Sequence, residues 1–212
     1  MLGGTLRRMS ATDTPASPLV VTAPPERFFG YYPGTVAVVT AAHGADRNVM
    51  SAGWHAALSA EPPLYGVAFG RERYTYGLVR ASSAFAVHFL PFERCDAIAG
   101  AGSLSRHDGG DKFERLGLAS SPGRVLDVPI LHDAYLVYEC RVDAVHVTGD
   151  HDFVVGVVVA VHHRPDAFDE RRLQDGVRVP GVVYYGRSTF EALGSGARGE
   201  FTPERYRERK PI

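Results

Sequence analysis

Residues 135–163 read YLVYECRVDAVHVTGDHDFVVGVVVAVHH. In the stretch from Tyr135 to Thr148 the side chains of Leu136, Tyr138, Cys140, Val142 and Val145 fall near one period-2 set. That spacing lines one face of a strand. Asp152 to His163 is almost wholly apolar, which predicts a strand buried on both faces. Gly149-Asp150 between them has the chemistry of a tight hairpin connection.

Outward from this stretch the chain continues as strands. Thr35–Ala41 (TVAVVTA) is β-branched and apolar, and breaks at His43-Gly44-Ala45-Asp46. Asn48–Ser59 resumes the pattern, Pro62-Pro63 punctuates it, and Leu64–Phe69, Ala84–Leu90 and Val182–Tyr185 follow. Helical spacing fits only Tyr74–Ala81, Glu93–Ala101 and Lys112–Leu116. Strands with short helical excursions and no regular βαβ alternation predict a mainly β fold: a closed or half-closed antiparallel barrel of Greek-key type. Residues 1–25 are rich in Ser, Thr, Ala and Pro and read as a flexible arm. Residues 26–190 carry the domain, and 191–212 form a tail with the charged run Glu204–Lys210.

Composition narrows the function classes. The chain has 212 residues, 45% hydrophobic and 22% charged, which suffices for a sizeable core. Its 23 basic and 24 acidic side chains nearly cancel, so no strong field draws it to nucleic acid or to a membrane. No apolar run approaches the ~20 residues of a membrane span. The residues after Arg7-Arg8 run Met9 to Pro15 and are polar, unlike a secretory leader, so a cytoplasmic protein is expected. Met9 is a second possible start. Cys95 and Cys140 show neither a disulfide framework nor a zinc spacing, and read as buried hydrophobes in a reducing compartment. No HExxH-like metal signature, P-loop, GxSxG or strand–GxGxxG–helix occurs.

Four short segments carry possible chemistry. Asn48-Val49-Met50-Ser51-Ala52-Gly53-Trp54 places small residues beside the sole tryptophan, so a ligand could approach the backbone. On these residues alone a bulged strand with Trp54 as core filler is the favoured reading. Arg71-Glu72-Arg73-Tyr74-Thr75 brings cations, a hydroxyl and free amides to a helix start, as a phosphate requires. A capped helix with a solvated turn reads the same way. Gly109-Gly110-Asp111-Lys112-Phe113 is a glycine loop whose Lys112 suits an anion or plain surface. Gly149-Asp150-His151 puts a histidine at a barrel rim, as a ligand partner or an ordinary hairpin residue.

Together, these segments resemble the flavin reductase-like family of FMN-binding split barrels. The matching pieces are PGTVAVVT (33–40), NVMSAGW (48–54), SAEPPL (59–64), RERYT (71–75), FAVHFLP (85–91), DKFERLGL (111–118) and GDHDFVVGVVV (149–159). Their order is most similar to the flavoredoxin and ferric reductase branch. The resemblance implies FMN as cofactor, with Asn48 and the backbone of Val49, Met50 and Ser51 against the ring and ribityl chain. It implies Trp54 beside the flavin, and Ser59 and Ala60 at the ring's polar edge. Arg71 and Thr75 would hold the phosphate with Lys112, and Tyr184 or Tyr185 would stand near the flavin. His151 would be the catalytic residue at the reactive face. A homodimer also follows from the resemblance.

The implied activity is that of an FMN-dependent NAD(P)H oxidoreductase, a flavin reductase moving hydride from NADH or NADPH to flavin. The acceptor would be free flavin, a ferric chelate or a partner redox protein. A flavoredoxin-like FMN electron carrier or a ferric reductase is a second reading. A non-enzymatic binder of another planar cofactor such as haem, with His151 or His88 as ligand, is a third. NADH against NADPH, the final acceptor and the choice between Arg71 and Arg73 are open at this stage.

Overall fold

The computed structural model describes residues 33–169, 172–173, 179–186 and 189–193. All of them lie in the compact unit Tyr31–Ile212. The predicted arm 1–25 lies outside the described residues, as does most of the tail 191–212. In chain order the elements are β1 (Gly34–Thr35), β2 (Ala37–His43), β3 (Asp46–Ala52), β4 (His55–Ala60), β5 (Pro63–Gly70), α1 (Tyr74–Ser82), β6 (Ala84–Phe89), α2 (Cys95–Ser103) and α3 (Lys112–Arg115). Then come β7 (Ser120–Pro122), β8 (Pro129–Leu131), β9 (Leu136–Thr148), β10 (His151–His163), β11 (Phe168–Asp169), β12 (Arg172–Leu173), β13 (Val182–Gly186) and β14 (Thr189–Ala192).

Seven strands form one antiparallel sheet in the order β3-β2-β6-β9-β10-β5-β4. No ladder joins its edges β3 and β4, so the barrel is split rather than closed. The two edges are nevertheless consecutive in the chain. The expected single strand over Asn48–Ser59 breaks at Gly53-Trp54, and the Trp54 carbonyl accepts from the Ala68 amide at 2.9 Å. The connection from β5 through α1 leads to β6, separated from β5 by two strands in the sheet order, and α1 itself lies against β2, β3 and β6. A small sheet β1-β13-β14 forms separately.

β9 and β10 pair from His151↔Thr148 to His163↔Leu136, the long hairpin that the sequence predicts. Burial on both faces holds only for the first half of β10. β5 accompanies β10 no further than Leu64↔Val157. Beyond that point β10 has no second neighbour among the described residues, and Val161 is 54% exposed.

The period-2 alternation of β2 divides the interior in two. Ala37, Val39 and Ala41 pack with Val67, Phe69, Phe85 and Val154 inside the barrel. Val36 and Val38 pack with Val49, Ile98 and Phe113 under α2 and α3. Each such large side chain contributes about 1.5–3 kcal/mol on burial. On β5, a Cβ at Gly66 would fall on the Phe153 ring and 2.9 Å from Leu58 Cδ1. The ring occupies the room the glycine leaves.

Two buried polar groups organise the sheet. Glu139, wholly buried, accepts from the amides of Arg124 (2.8 Å), Val125 (2.9 Å) and Leu126 (2.7 Å). Its carboxylate also lies 2.6 Å from His162 Nε2. Burial opposes its ionisation, but His162 and the three amides outweigh burial and hold the carboxyl below its ordinary range. The loop between β7 and β8 is thereby fastened to the sheet. His88 is fully buried with Nδ1 3.0 Å from the Val38 carbonyl, and burial pushes it down to about 4. His88 therefore stands in the core and offers no ring nitrogen to a surface ligand.

Candidate cofactor site

The edge strand β3 passes the start of α1. β5 ends at Gly70, whose carbonyl accepts from Arg73 N at 3.0 Å, and this turn launches the helix. Arg73 is the N-cap and gives no side-chain cap; the Tyr76 amide donates to its carbonyl at 2.9 Å, and the Tyr74 and Thr75 amides before it keep their capacity for an acceptor. Thr75 is 1% exposed, because its side chain turns inward to β3. There Asn48 Nδ2 donates to Thr75 Oγ1 across 2.9 Å. Asn48 Oδ1 is buried and has no hydrogen-bond partner among the described residues. A buried amide oxygen left this way is costly unless a donor arrives.

The other face of β3 meets α2 and α3. Ser51 Oγ donates to the Ile98 carbonyl at 2.5 Å. A Cβ at Gly102 would stand 3.4 Å from Ser51 Cβ, so the C-terminal end of α2 lies close to the strand. Asp111 caps α3 by accepting from Phe113 N at 2.7 Å, and also accepts from Arg47 at 2.8 and 3.1 Å. Arg47 in turn lies 4.4 Å above the Phe113 ring. These contacts fix Lys112, the first residue of α3, in the interior at 3% exposure. Its Nζ donates to the Ala101 carbonyl at 2.7 Å. Burial, then the nearby Arg73 and Arg115, push its ammonium down to about 8. Among the described residues no carboxylate lies within ion-pair distance of it.

A second group of side chains lies at the junction of β4, β5 and β10. The ring of Trp54, 42% exposed, lies 4.9 Å from that of His151. His151 Nδ1 is 2.7 Å from Asp150 Oδ1. His151 is also the register partner of Gly70, which brings it beside the turn that starts α1. In that turn Arg71 Nε donates to Asp152 Oδ1 at 2.8 Å, and Tyr76 Oη donates to Asp152 Oδ2 at 2.5 Å. Tyr76 first and then Arg71 hold the Asp152 carboxyl below its ordinary range.

Residues 29–194 match the family described as "Flavin reductase like domain". The chain belongs to this family. It is similar to an NADH-dependent FMN reductase of Streptomyces nodosus subsp. asukaensis, 34% identical over 64% of this chain and 72% of that protein. An uncharacterised protein of Aeropyrum pernix is 37% identical over 62% of this chain, a match that takes in only 50% of that relative's length. Among solved structures, an FMN-binding protein from Thermus thermophilus superposes with a TM-score of 0.75 at 33% identity. That superposition covers 87% of this chain and 99% of the Thermus chain.

For a member of the flavin reductase-like family, the predicted positions distribute unevenly. Asn48, Thr75, Ser51 and Lys112 gather around β3. Trp54, His151 and Arg71 gather at the adjoining rim. Val49 is fully buried in the core, so only its backbone remains for a ligand, while Met50 is partly buried against the barrel interior. Ser59 and Ala60 pair with Leu64 and Pro63 at the far end of the β4–β5 hairpin. That end is roughly 15 Å along the strand from Trp54. Tyr184 packs its ring 4.9 Å from Phe190, and Tyr185 Oη donates to Glu191 at 2.8 Å, both within the small sheet. The sequence reading missed Asp152, Tyr76 and Arg47, and pointed to Asp111 and Asp150 only as members of their loops, without these contacts. Asp152 had a signal: it is a lone acid heading an apolar strand.

Proposed function

We propose that the chain binds FMN along β3 and works as an FMN-dependent NAD(P)H:flavin oxidoreductase. The observation that carries this reading is the Asn48–Thr75 contact, which joins the two segments any single phosphorylated ring must bridge. The donor set suits FMN. Lys112 and the uncapped amides of α1 suit its phosphate. Asn48 Oδ1 awaits an N–H or O–H, and the outer rim of an edge strand offers main-chain donors and acceptors. Among the described residues Arg71 meets a carboxylate only through Nε, at Asp152.

FMN, when bound, supplies the two-electron chemistry, taking hydride from a reduced nicotinamide and passing the electrons on. The protein contributes orientation and fixed dipoles. The Asp150 carboxylate accepts from His151 Nδ1–H and so leaves Nε2 as the hydrogen-bonding atom toward a nicotinamide. The exposed Trp54 ring gives that nicotinamide a flat wall. The named activity of the Streptomyces relative supports a nicotinamide donor. A homodimer belongs to the same reading, since Trp54 and Leu58 at the β4 edge are 42% and 45% exposed. So does a reducing, cytoplasmic setting, in which Cys95 and Cys140 stay free thiols. Among the described residues no helix is long and apolar enough to cross a membrane.

The test is a flavin absorbance titration followed by anaerobic addition of NADH and of NADPH. A yellow complex bleached by either nucleotide, with turnover of free flavin, is expected. Slow bleaching with flavin that never leaves replaces the reductase with a flavoredoxin-like carrier. A protein that ignores FMN overturns the reading.

A further inference from the structure

Along the outer side of α1 runs a groove of about 550 Å³, lined by Arg71, Arg73, Tyr74, Gly77, Arg80 and His107 among others. Asn48, Thr75 and Lys112 do not line it. Arg73, Gly77 and Arg80 are spaced by four and three residues, so they form one stripe on the helix, and all three are exposed. Two of the groove's guanidinium groups have carboxylate partners: Arg73 with Glu72 at 3.1 Å and Arg71 with Asp152 at 2.8 Å. Arg80 has none within ion-pair distance among the described residues. Its NH1 nitrogen donates to the Tyr76 hydroxyl at 3.4 Å, its guanidinium lies 6.0 Å from the centre of that ring, and its charge adds to Tyr76 and Arg71 in holding the Asp152 carboxyl down. The groove lining, three arginines against Glu72, thus carries a net positive charge, and His107 stands at the end away from Arg80, its ring 5.4 Å from that of Tyr74.

Gly77 is the second observation. Glycine is a poor helix former, and in mid-helix it normally answers to a close neighbour. Here a Cβ would meet nothing within 4 Å. What the glycine provides is room, directly between two arginines, for something to lie against the helix.

The groove also continues the rim. His151 pairs with Gly70, and the next residue, Arg71, opens the groove. From Tyr74 to Arg80 the helix advances about 9 Å. A dinucleotide whose nicotinamide lies at Trp54 and His151 has its other half in reach of this stripe.

We propose that this groove holds the phosphorylated adenosine half of the pyridine nucleotide, with Arg80 as the phosphate-binding cation and Gly77 as the floor. The inference rests on the oxidoreductase reading given above. Guanidinium groups suit a phosphate ester because their fork matches its oxygens. The phosphate has two sources: the pyrophosphate common to both nucleotides, or the extra 2′-phosphate of NADPH.

Calorimetric titration of the FMN-loaded protein with adenosine 2′,5′-bisphosphate and with AMP tests this, in the wild type and in Arg80→Gln and Gly77→Leu. Leucine keeps the helix and fills the groove. Both variants are expected to bind the bisphosphate about tenfold more weakly and to keep FMN. Loss confined to the bisphosphate assigns the groove to the 2′-phosphate, with KM rising for NADPH alone. Loss for both ligands assigns it to the pyrophosphate, with KM rising for both nucleotides. Unchanged binding and KM in a wild-type protein that is reduced by NAD(P)H overturns the groove and spares the oxidoreductase reading. So does release of FMN by either variant, which would make the groove part of the flavin site. Bisphosphate binding that both variants weaken, in a protein that no nicotinamide reduces, sinks the oxidoreductase reading and leaves an adenosine phosphate site.

Discussion

Asn48 Nδ2 and Thr75 Oγ1 are 2.9 Å apart, and this hydrogen bond ties an edge strand to the start of a helix reached only after two further strands. Neither side chain is exposed, so the pair is an interior joint with one unused atom, Asn48 Oδ1. Asn48→Ala removes the joint and that acceptor together. We expect about 1 kcal/mol of lost stability in urea denaturation and FMN bound about tenfold more weakly in a flavin titration. Unchanged flavin affinity would detach Asn48 from the cofactor.

Lys112 gives a pH signature. Burial first, then Arg73 and Arg115, place its free-protein ammonium at about 8. A bound phosphate favours the charged form and raises that value. Affinity for FMN is therefore full below about pH 8 and falls as the pH rises past it, by about tenfold per pH unit at most. Lys112→Gln should bind FMN about 10- to 100-fold more weakly and lose this alkaline fall. The same fall in the variant would assign the effect elsewhere.

His151 acts on the nicotinamide in the proposed mechanism, not on the flavin. His151→Ala should leave the FMN dissociation constant unchanged and slow anaerobic reduction by about 10- to 100-fold. Stopped-flow absorbance during NADH mixing reads this directly. A variant that releases FMN yet reduces normally contradicts the assigned role.

How far these features are legible in the sequence depends on how local their causes are. The β9–β10 hairpin is legible because alternation, an apolar run and Gly149-Asp150 agree within 29 consecutive residues, 135–163. The break at Gly53-Trp54 is not, since one glycine inside a strand-like run signals a bulge as readily as a crossing between sheet edges. The β7–β8 hairpin hides behind Pro122 and Pro129, which argue against strands locally. Lys112 reads as surface by residue type. Its burial is decided by the Arg47–Asp111 pair, whose members are far apart in sequence. Arg71 reads as a phosphate ligand, and only the folded chain brings Asp152 against it.

Glu139 predicts acid sensitivity. Its carboxyl titrates lower in the folded chain than in the unfolded one, so its contribution is present above about pH 4.5 and is lost as the pH falls through the folded value. Glu139→Gln should cost about 3 kcal/mol at neutral pH, since one charged acceptor serves three amides. Urea denaturation at pH 7 and pH 3.5 should show the wild-type advantage shrinking at the lower value.

His88 sets a second window, at less acidic pH. It is neutral in the fold, at about 4, and titrates near 6.5 when unfolded. The unfolded chain therefore binds the extra proton first, and about 3 kcal/mol of stability present above pH 6.5 is lost progressively down to about pH 4. His88→Leu should start less stable, because the Val38 carbonyl loses its partner. Its stability should nonetheless vary less between pH 7 and pH 4.5, as followed by circular dichroism.

The Phe153 ring lying over Gly66 couples the evolutionary freedom of two positions. A methyl group at 66 collides unless the residue at 153 shrinks, and a smaller residue at 153 leaves a hollow unless 66 grows. Homologous chains carrying alanine at the first position should therefore carry something narrower than phenylalanine at the second. Neither site can drift alone without a stability cost that the paired exchange would avoid.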